Sequence, residues 1–207
     1  MDMAHVIWLT GLSGAGKTTL ANALRGKLQS QRVPSIVLDG DALRTGINSD
    51  LGFSAENRAE NVRRVAEIAK LMASNGHVAI VALISPLEAH RQLARSIVGE
   101  ASFLEVHVAT SVHECEKRDV KGLYKRARLG QIEGFTGLSA PYEVPLALDC
   151  VIDTALESVQ QSADRLYAFL VSRVSTESKS WDYALRTSLA NSAIAATSAG
   201  SANTVKT

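Results

Sequence analysis

Apolar and polar positions along the chain fall into blocks whose period switches between strand-like and helix-like. His5–Thr10 (HVIWLT) is a short apolar run that reads as a buried strand. Lys17–Gln31 carries Leu20, Leu24 and Leu28 at i, i+4 and i+8, the spacing of one helix face. Ser35–Leu38 follows Pro34 as a second buried strand. Glu56–Asn75 is a long helix with Val62, Val65, Ile68, Ala69 and Met72 on one side, and Gly76 ends it. Val78–Ile84 is nearly all apolar, as a strand covered on both faces must be. Leu87–Val98 reads as a helix and Phe103–Val108 as a strand. Val112–Arg118 and Lys121–Leu129 read as two charged helices, Cys150–Ile152 as a last strand and Leu156–Val174 as a closing amphipathic helix. This βαβα order predicts an α/β fold: a mostly parallel five-stranded sheet with helices on both faces.

The pattern stops near residue 174. From Ser175 to Thr207 there are 7 Ser, 5 Thr and 7 Ala among 33 residues. Such a segment has little to bury against the entropy of ordering it, so it reads as a flexible tail after one domain spanning 1–174. Over the whole chain, hydrophobic residues are 46% and the formal net charge is +1. That composition builds a core but argues against coating nucleic acid or an anionic membrane by bulk electrostatics. No run approaches the roughly 18 apolar residues of a membrane span, and no secretory signal is visible. Two cysteines, Cys115 and Cys150, are too few for a disulfide framework and are not spaced as a zinc site. A cytoplasmic protein is the expectation.

The sharpest local signal lies between the first strand and the first long helix. Gly11-Leu12-Ser13-Gly14-Ala15-Gly16-Lys17-Thr18 matches the phosphate-loop pattern G-x-x-x-x-G-K-[ST]. Its glycines let successive backbone N–H groups wrap an anion, and the following helix offers its positive end. Lys17 would reach the β and γ phosphates, and the Thr18 hydroxyl would ligate Mg²⁺. A chance match in a chain this long is on the order of one in a hundred. The reaction class is narrower still. No Asn/Thr-Lys-x-Asp run of the GTPase kind is present, and Val78–Ile84 ends in Ser85-Pro86 rather than an aspartate. The available acids are Asp39 and Asp41, at the carboxyl end of the second strand, where open parallel sheets bind ligands. Asp41 could take a proton from an acceptor hydroxyl and Asp39 could hold a metal-bound water, or an aspartate here caps a short helix. This suits a small-molecule kinase.

Arg44 follows, then Arg58, Asn61 and Arg64 at i, i+3 and i+6 on one side of a helix. Guanidinium forks of this kind suit a doubly anionic acceptor; the alternative is a solvated face paired with Glu56, Glu60 and Glu67. Phe53 and Phe135 sit in glycine-rich loops and could stack on a base, or anchor the loops. Residues 117–128 hold six bases among three nearby acids, which fits a lid carrying cations over a transferring phosphate.

Taken in order, TGLSGAGKTT, LDGDALR, GFS, NVRR, ISP, CEKRD, KGLYKRAR, GFTG and APYEVP resemble the adenylylsulfate kinase (APS kinase) family over about residues 4–172. The resemblance implies a P-loop NTPase fold, ATP and Mg²⁺ as cofactors, and transfer of the ATP γ-phosphate to the 3′-hydroxyl of adenosine 5′-phosphosulfate. It implies that Gly11–Thr18 with Thr19 bind ATP and that Asp41 contacts the 3′-hydroxyl as base. Arg44, Arg58 and Asn61 would hold the phosphosulfate end, and Phe53 and Phe135 would sandwich the adenine. Ile84 and Lys121 would line the same pocket, with residues 118–140 as lid. The family marks Ser85 as a phosphoserine intermediate; in-line transfer to a bound hydroxyl needs no covalent stop, so the other role for Ser85 is a strand-end hydroxyl that bonds ligand or backbone. The resemblance also implies a homodimer with no nucleic-acid or membrane partner. Two further readings stay open. One is a nucleotide-binding regulator without turnover, and the other is a kinase for a different hydroxyl acceptor such as a sugar.

Overall fold

A computed structural model of the chain describes residues 4–177; residues 178–207, nearly all of the expected tail, lie outside the described residues. The elements run β1 (Val6–Thr10), α1 (Lys17–Ser30), β2 (Ser35–Asp39), α2 (Gly40–Arg44), α3 (Ala55–Ser74), β3 (Val78–Ala82), α4 (Glu88–Val98), β4 (Phe103–Val108), α5 (Val112–Arg118), α6 (Leu123–Arg128), β5 (Cys150–Ile152) and α7 (Val159–Glu177). The five strands form one sheet in the order β2-β3-β1-β4-β5, every pair parallel. Ile7 of β1 lies opposite Ile80 on one side and Leu104 on the other.

Strand alternation sends successive residues to opposite faces, and the sheet has a core on each. Ile7, Leu9, Ile80 and Val106 pack with Leu20, Leu24 and Leu28 of α1 and Leu166 and Leu170 of α7. Val6, Trp8, Ala79, Val81 and Phe103 pack with Val62, Val65 and Ala69 of α3 and Ala94 and Val98 of α4. Burial on both faces is why β1 and β3 read as continuous apolar runs. The chain leaves β1 with β3 on one side and β4 on the other, so the carboxyl end of β1 is the crevice where such sheets take ligands.

The second strand is not buried as expected: β2 lies at the sheet edge, and of its residues only Leu38 is buried. Several boundaries also differ from the periodicity. β3 stops at Ala82, two residues before the end of the apolar run. Leu83 N still bonds Leu9 O at 3.2 Å, but the Ile84 carbonyl turns to the Thr10 hydroxyl at 2.7 Å and Ser85 takes φ 43°. α6 starts at Leu123 rather than Lys121, because the Asp119 carboxylate accepts from Tyr124 N and Lys125 N and so caps it there. α7 starts three residues late, after a turn in which Asp153 accepts from Ala155 N, and runs three residues past Val174.

One charged group inside the fold was not foreseen. Glu105 on β4 is 1% exposed and sits 2.8 Å from Arg91, itself fully buried, and 3.3 Å from Arg95. Burial outweighs the two guanidinium groups and pushes its carboxyl above the usual range. Replacing one partner of a buried pair strands the other charge, so Glu105→Ala is expected to lower unfolding stability by about 3–5 kcal/mol in urea denaturation.

Candidate active site

The loop between β1 and α1 carries the anion-binding geometry that its glycines suggest. A Cβ at Gly11 would stand 2.5 Å from Val108 O, so only glycine fits beside β4. Gly16 is the N-cap of α1 with φ 98°, a left-handed conformation that glycine adopts freely, and no side chain caps that helix end. The first N–H groups of α1 are therefore available to phosphate. Lys17 Nζ donates to Gly11 O at 2.9 Å and Leu12 O at 2.7 Å, which arches its side chain over the loop. Burial lowers its pKa to about 8; an adjacent phosphate would favour its charged form. The loop is braced from behind. Thr154 donates its hydroxyl to Ala15 O at 2.7 Å, and Arg118 reaches Gly14 O, Thr154 Oγ1 and Thr154 O. Tyr124 donates to Ser13 O at 2.9 Å. Thr18 and Thr19 are exposed on the first turn of α1.

Asp39 ends β2 and does two things. Its Oδ1 accepts from Asp41 N at 2.9 Å and Ala42 N at 3.2 Å, capping α2, while its Oδ2 accepts the Thr18 hydroxyl at 2.6 Å. The cap and the metal reading are thus compatible. A hydroxyl and a carboxylate side by side, beside a phosphate loop, fit Mg²⁺, which keeps several waters and uses few protein oxygens. No group of three or more His, Cys, Asp or Glu side chains suited to a metal occurs among the described residues, so a fully protein-made cage is not what this site offers. Asp41 is exposed on α2 and forms an ion pair with Lys121 from the α5–α6 turn. That contact links the α5–α6 turn to α2.

Most of the residues expected to hold the acceptor gather beside it. Arg44 Nη1 donates to Leu51 O and Gly52 O, each at 3.0 Å, and its guanidinium lies 4.4 Å from the Phe53 ring centre. Arg58 donates to Phe53 O at 2.9 Å and Gly134 O at 3.2 Å, so it ties the two glycine-rich loops together. Burial, then the charge of Arg58, lower the Arg44 pKa below its ordinary value. The two aromatics differ in setting. Phe53 is 68% exposed, whereas Phe135 is 9% exposed and packs edge-on against Tyr124 at 4.9 Å. Phe135 is thus packed within its loop, whereas Phe53 is mostly exposed, with the Arg44 and Arg58 guanidinium groups near its ring. Asn61 is buried one turn after Arg58 and accepts from Asn48 Nδ2 at 3.1 Å. Arg64 does not join them: it pairs with Asp50 and Glu60, as the solvated-face alternative expects. Of the six bases in 117–128, Lys121 and Arg118 turn toward the loops, while Arg128 pairs with Glu116 and Lys117 lies 3.9 Å from Glu114.

Comparison with known proteins decides the family. The sequence pattern of the family described as Adenylylsulphate kinase matches residues 3–153. The chain is 57% identical to an adenylyl-sulfate kinase of Paraburkholderia xenovorans over 166 residues, 80% of this chain and 92% of that one. It is 50% identical to an adenylyl-sulfate kinase of Shewanella amazonensis over 167 residues, 81% and 84% of the two chains. Among solved structures it is similar to the Mycobacterium tuberculosis APS kinase in complex with AMPPNP and APS, with TM-score 0.79 and 42% identity over 82% of this chain and 99% of that one. The chain belongs to the adenylylsulfate kinase family.

The turn after β3 brings together Ser85 and Ile84, which the sequence singles out, and two residues that it does not. Ser85 is 3% exposed, its Oγ accepts from Trp8 Nε1 at 3.0 Å, and its carbonyl accepts from Arg91 Nη1 at 2.8 Å. Tyr142 and Glu143, recognised only as part of a motif string, dock onto the same turn. The Tyr142 hydroxyl lies 2.9 Å from Thr10 Oγ1, Glu143 N donates to Pro86 O, and the Glu143 carboxylate caps α4 by accepting from Glu88 N at 2.6 Å. Leu87, the N-cap residue of α4, has no side-chain cap bond; that lack, next to a distant glutamate in a motif, was the one available signal. Ile84 lines this turn through its carbonyl.

Proposed function

We propose that this chain transfers the γ-phosphoryl group of ATP to the 3′-hydroxyl of adenosine 5′-phosphosulfate, giving ADP and 3′-phosphoadenosine 5′-phosphosulfate. The supporting observation is the placement of Asp41. It stands at the carboxyl end of β2, with the phosphate loop bonded to its neighbour Asp39 on one side and the Arg44–Phe53–Arg58 group on the other. The loop N–H groups and Lys17 hold the phosphates of ATP. Arg44, Arg58 and Asn61 hold the phosphosulfate, and Phe53 offers its face to the adenine, with Phe135 fixing the opposite loop. Asp41 accepts the proton of the 3′-hydroxyl as its oxygen bonds to the γ-phosphorus and the bond to the bridging oxygen of ADP breaks. Lys121, released from Asp41 by the acceptor, lies over the transferring group, where charge spreads over the phosphoryl oxygens. Mg²⁺ bound near Thr18 and Asp39 would neutralise phosphate charge. Ser85, with a buried hydroxyl engaged by Trp8, supports the turn and carries no phosphoryl group. The proposal extends to a cytoplasmic homodimer that needs no nucleic-acid or membrane partner.

The test is the identity of the product. Phosphorus NMR after incubation with ATP, Mg²⁺ and adenylylsulfate should show a new 3′-monoester. Phosphate released to water, or an ester formed equally well on a sugar offered in competition, contradicts the proposal. A second expectation concerns Arg58. Hydrogen bonds to charged groups are worth about 1.5–3 kcal/mol, so Arg58→Ala should raise KM for adenylylsulfate about 10–100-fold while KM for ATP stays within about twofold, read from initial rates.

A further inference from the structure

The turn between α2 and α3 contains a residue out of character. From Thr45 to Asp50 every residue is exposed except Asn48, which is 0% exposed. A buried polar side chain normally finds partners for all its groups, because an orphaned one forfeits its hydration. Asn48 finds half: its Nδ2 donates to Asn61 Oδ1 at 3.1 Å, and its own Oδ1 has no partner. An apolar side chain would fill the same space without that penalty. What leucine cannot do is grip one end of the Asn61 amide.

We infer that Asn48 is a positioning residue that sets which end of the Asn61 amide faces the acceptor. An asparagine amide carries an acceptor oxygen and a donor NH₂ of nearly equal shape. With Asn61 Oδ1 engaged by Asn48, the NH₂ is the end left for another partner. Asn61 follows Arg58 by one helical turn on the same side of α3, so the donor joins a guanidinium in facing an anion. Without Asn48 the amide is free to turn its oxygen toward that anion, which repels it. The turn itself is held by backbone bonds, Asn48 N to Leu43 O at 2.9 Å and Leu51 N to Asn48 O at 3.1 Å, and by Arg44 on the Leu51 and Gly52 carbonyls. The side chain of Asn48 is therefore not what holds the loop. The inference rests on the acceptor-binding role proposed above for Asn61.

A double-mutant cycle tests it on the full chain, using initial rates with adenylylsulfate and with ATP varied separately. Asn48→Ala is expected to raise KM for adenylylsulfate about tenfold, the effect of losing one hydrogen bond to a charged group, and to leave KM for ATP unchanged. On an Asn61→Ala background the same substitution should change KM by less than about twofold, because there is no amide left to orient. Equal factors on both backgrounds, or a parallel rise in KM for ATP, overturn the inference. Should Asn48→Ala not yield folded protein, Asn48→Asp, which keeps the shape and replaces the donor by an acceptor, enters the same cycle with the same two outcomes. Wild-type protein without adenylylsulfate-dependent turnover contradicts the proposed function and this inference together; active wild type with equal factors contradicts the role of Asn48 alone.

Discussion

Lys17→Ala is expected to lower kcat/KM for phosphoryl transfer by about 10²–10³-fold or more, the loss seen when one preorganised charge-stabilising donor is removed. The ammonium is already arched over the loop by Gly11 O and Leu12 O, so its position is set before nucleotide arrives. Its solvation has also been given up: burial draws the pKa down to about 8. A cation in that state gains more from the charge growing on a transferring phosphoryl group than a solvated lysine would. The substitution leaves two carbonyl oxygens without this donor, so a stability loss of about 1–3 kcal/mol should accompany it, and thermal denaturation measured alongside separates the two effects. Folded Lys17→Ala protein that keeps more than about a tenth of wild-type kcat/KM would show that this ammonium does not stabilise the transferring charge.

The second large effect is expected at Asp41. General-base catalysis contributes about 10²–10⁴-fold, so Asp41→Asn should reduce kcat by that range while KM for ATP stays near wild type. Asp41 is exposed on α2, and the Asp39 carboxylate caps α2 by accepting from the backbone N–H of Asp41, so the helix survives the change. The substitution also removes the partner of Lys121. Lys121→Ala separates the two contributions: it should raise KM for adenylylsulfate and lower kcat by less than Asp41→Asn does. Equal kcat losses in the two variants would mean that the ion pair, rather than a base, is what matters.

Periodicity and loop chemistry made much of the molecule readable. Leu20, Leu24 and Leu28 place α1, the apolar runs place β1 and β3, and the glycine pattern places the phosphate loop between strand and helix. The two-sided burial of the sheet follows from runs that do not alternate. What stayed hidden was set by contacts between distant segments. Nothing near Glu105 in sequence says that Arg91 and Arg95 will surround it. Asn48 sits in a polar turn where composition favours exposure, and only the packing of that turn on α3 buries it. Phe53 and Phe135 look alike as loop aromatics, yet one is exposed and the other packs on Tyr124, a residue on a helix whose start depends on the Asp119 cap. Arg58 and Arg64 share one side of α3, and the acids within reach, Asp50 and Glu60, draw Arg64 away.

The most direct measurement is ADP release by purified protein with ATP and Mg²⁺, followed with and without adenylylsulfate. Release that depends on adenylylsulfate, is stoichiometric with a 3′-phosphorylated product and is lost in Asp41→Asn is the expected result. ADP release that is the same with and without adenylylsulfate, or absent in both, contradicts the assignment of this site as an adenylylsulfate kinase centre.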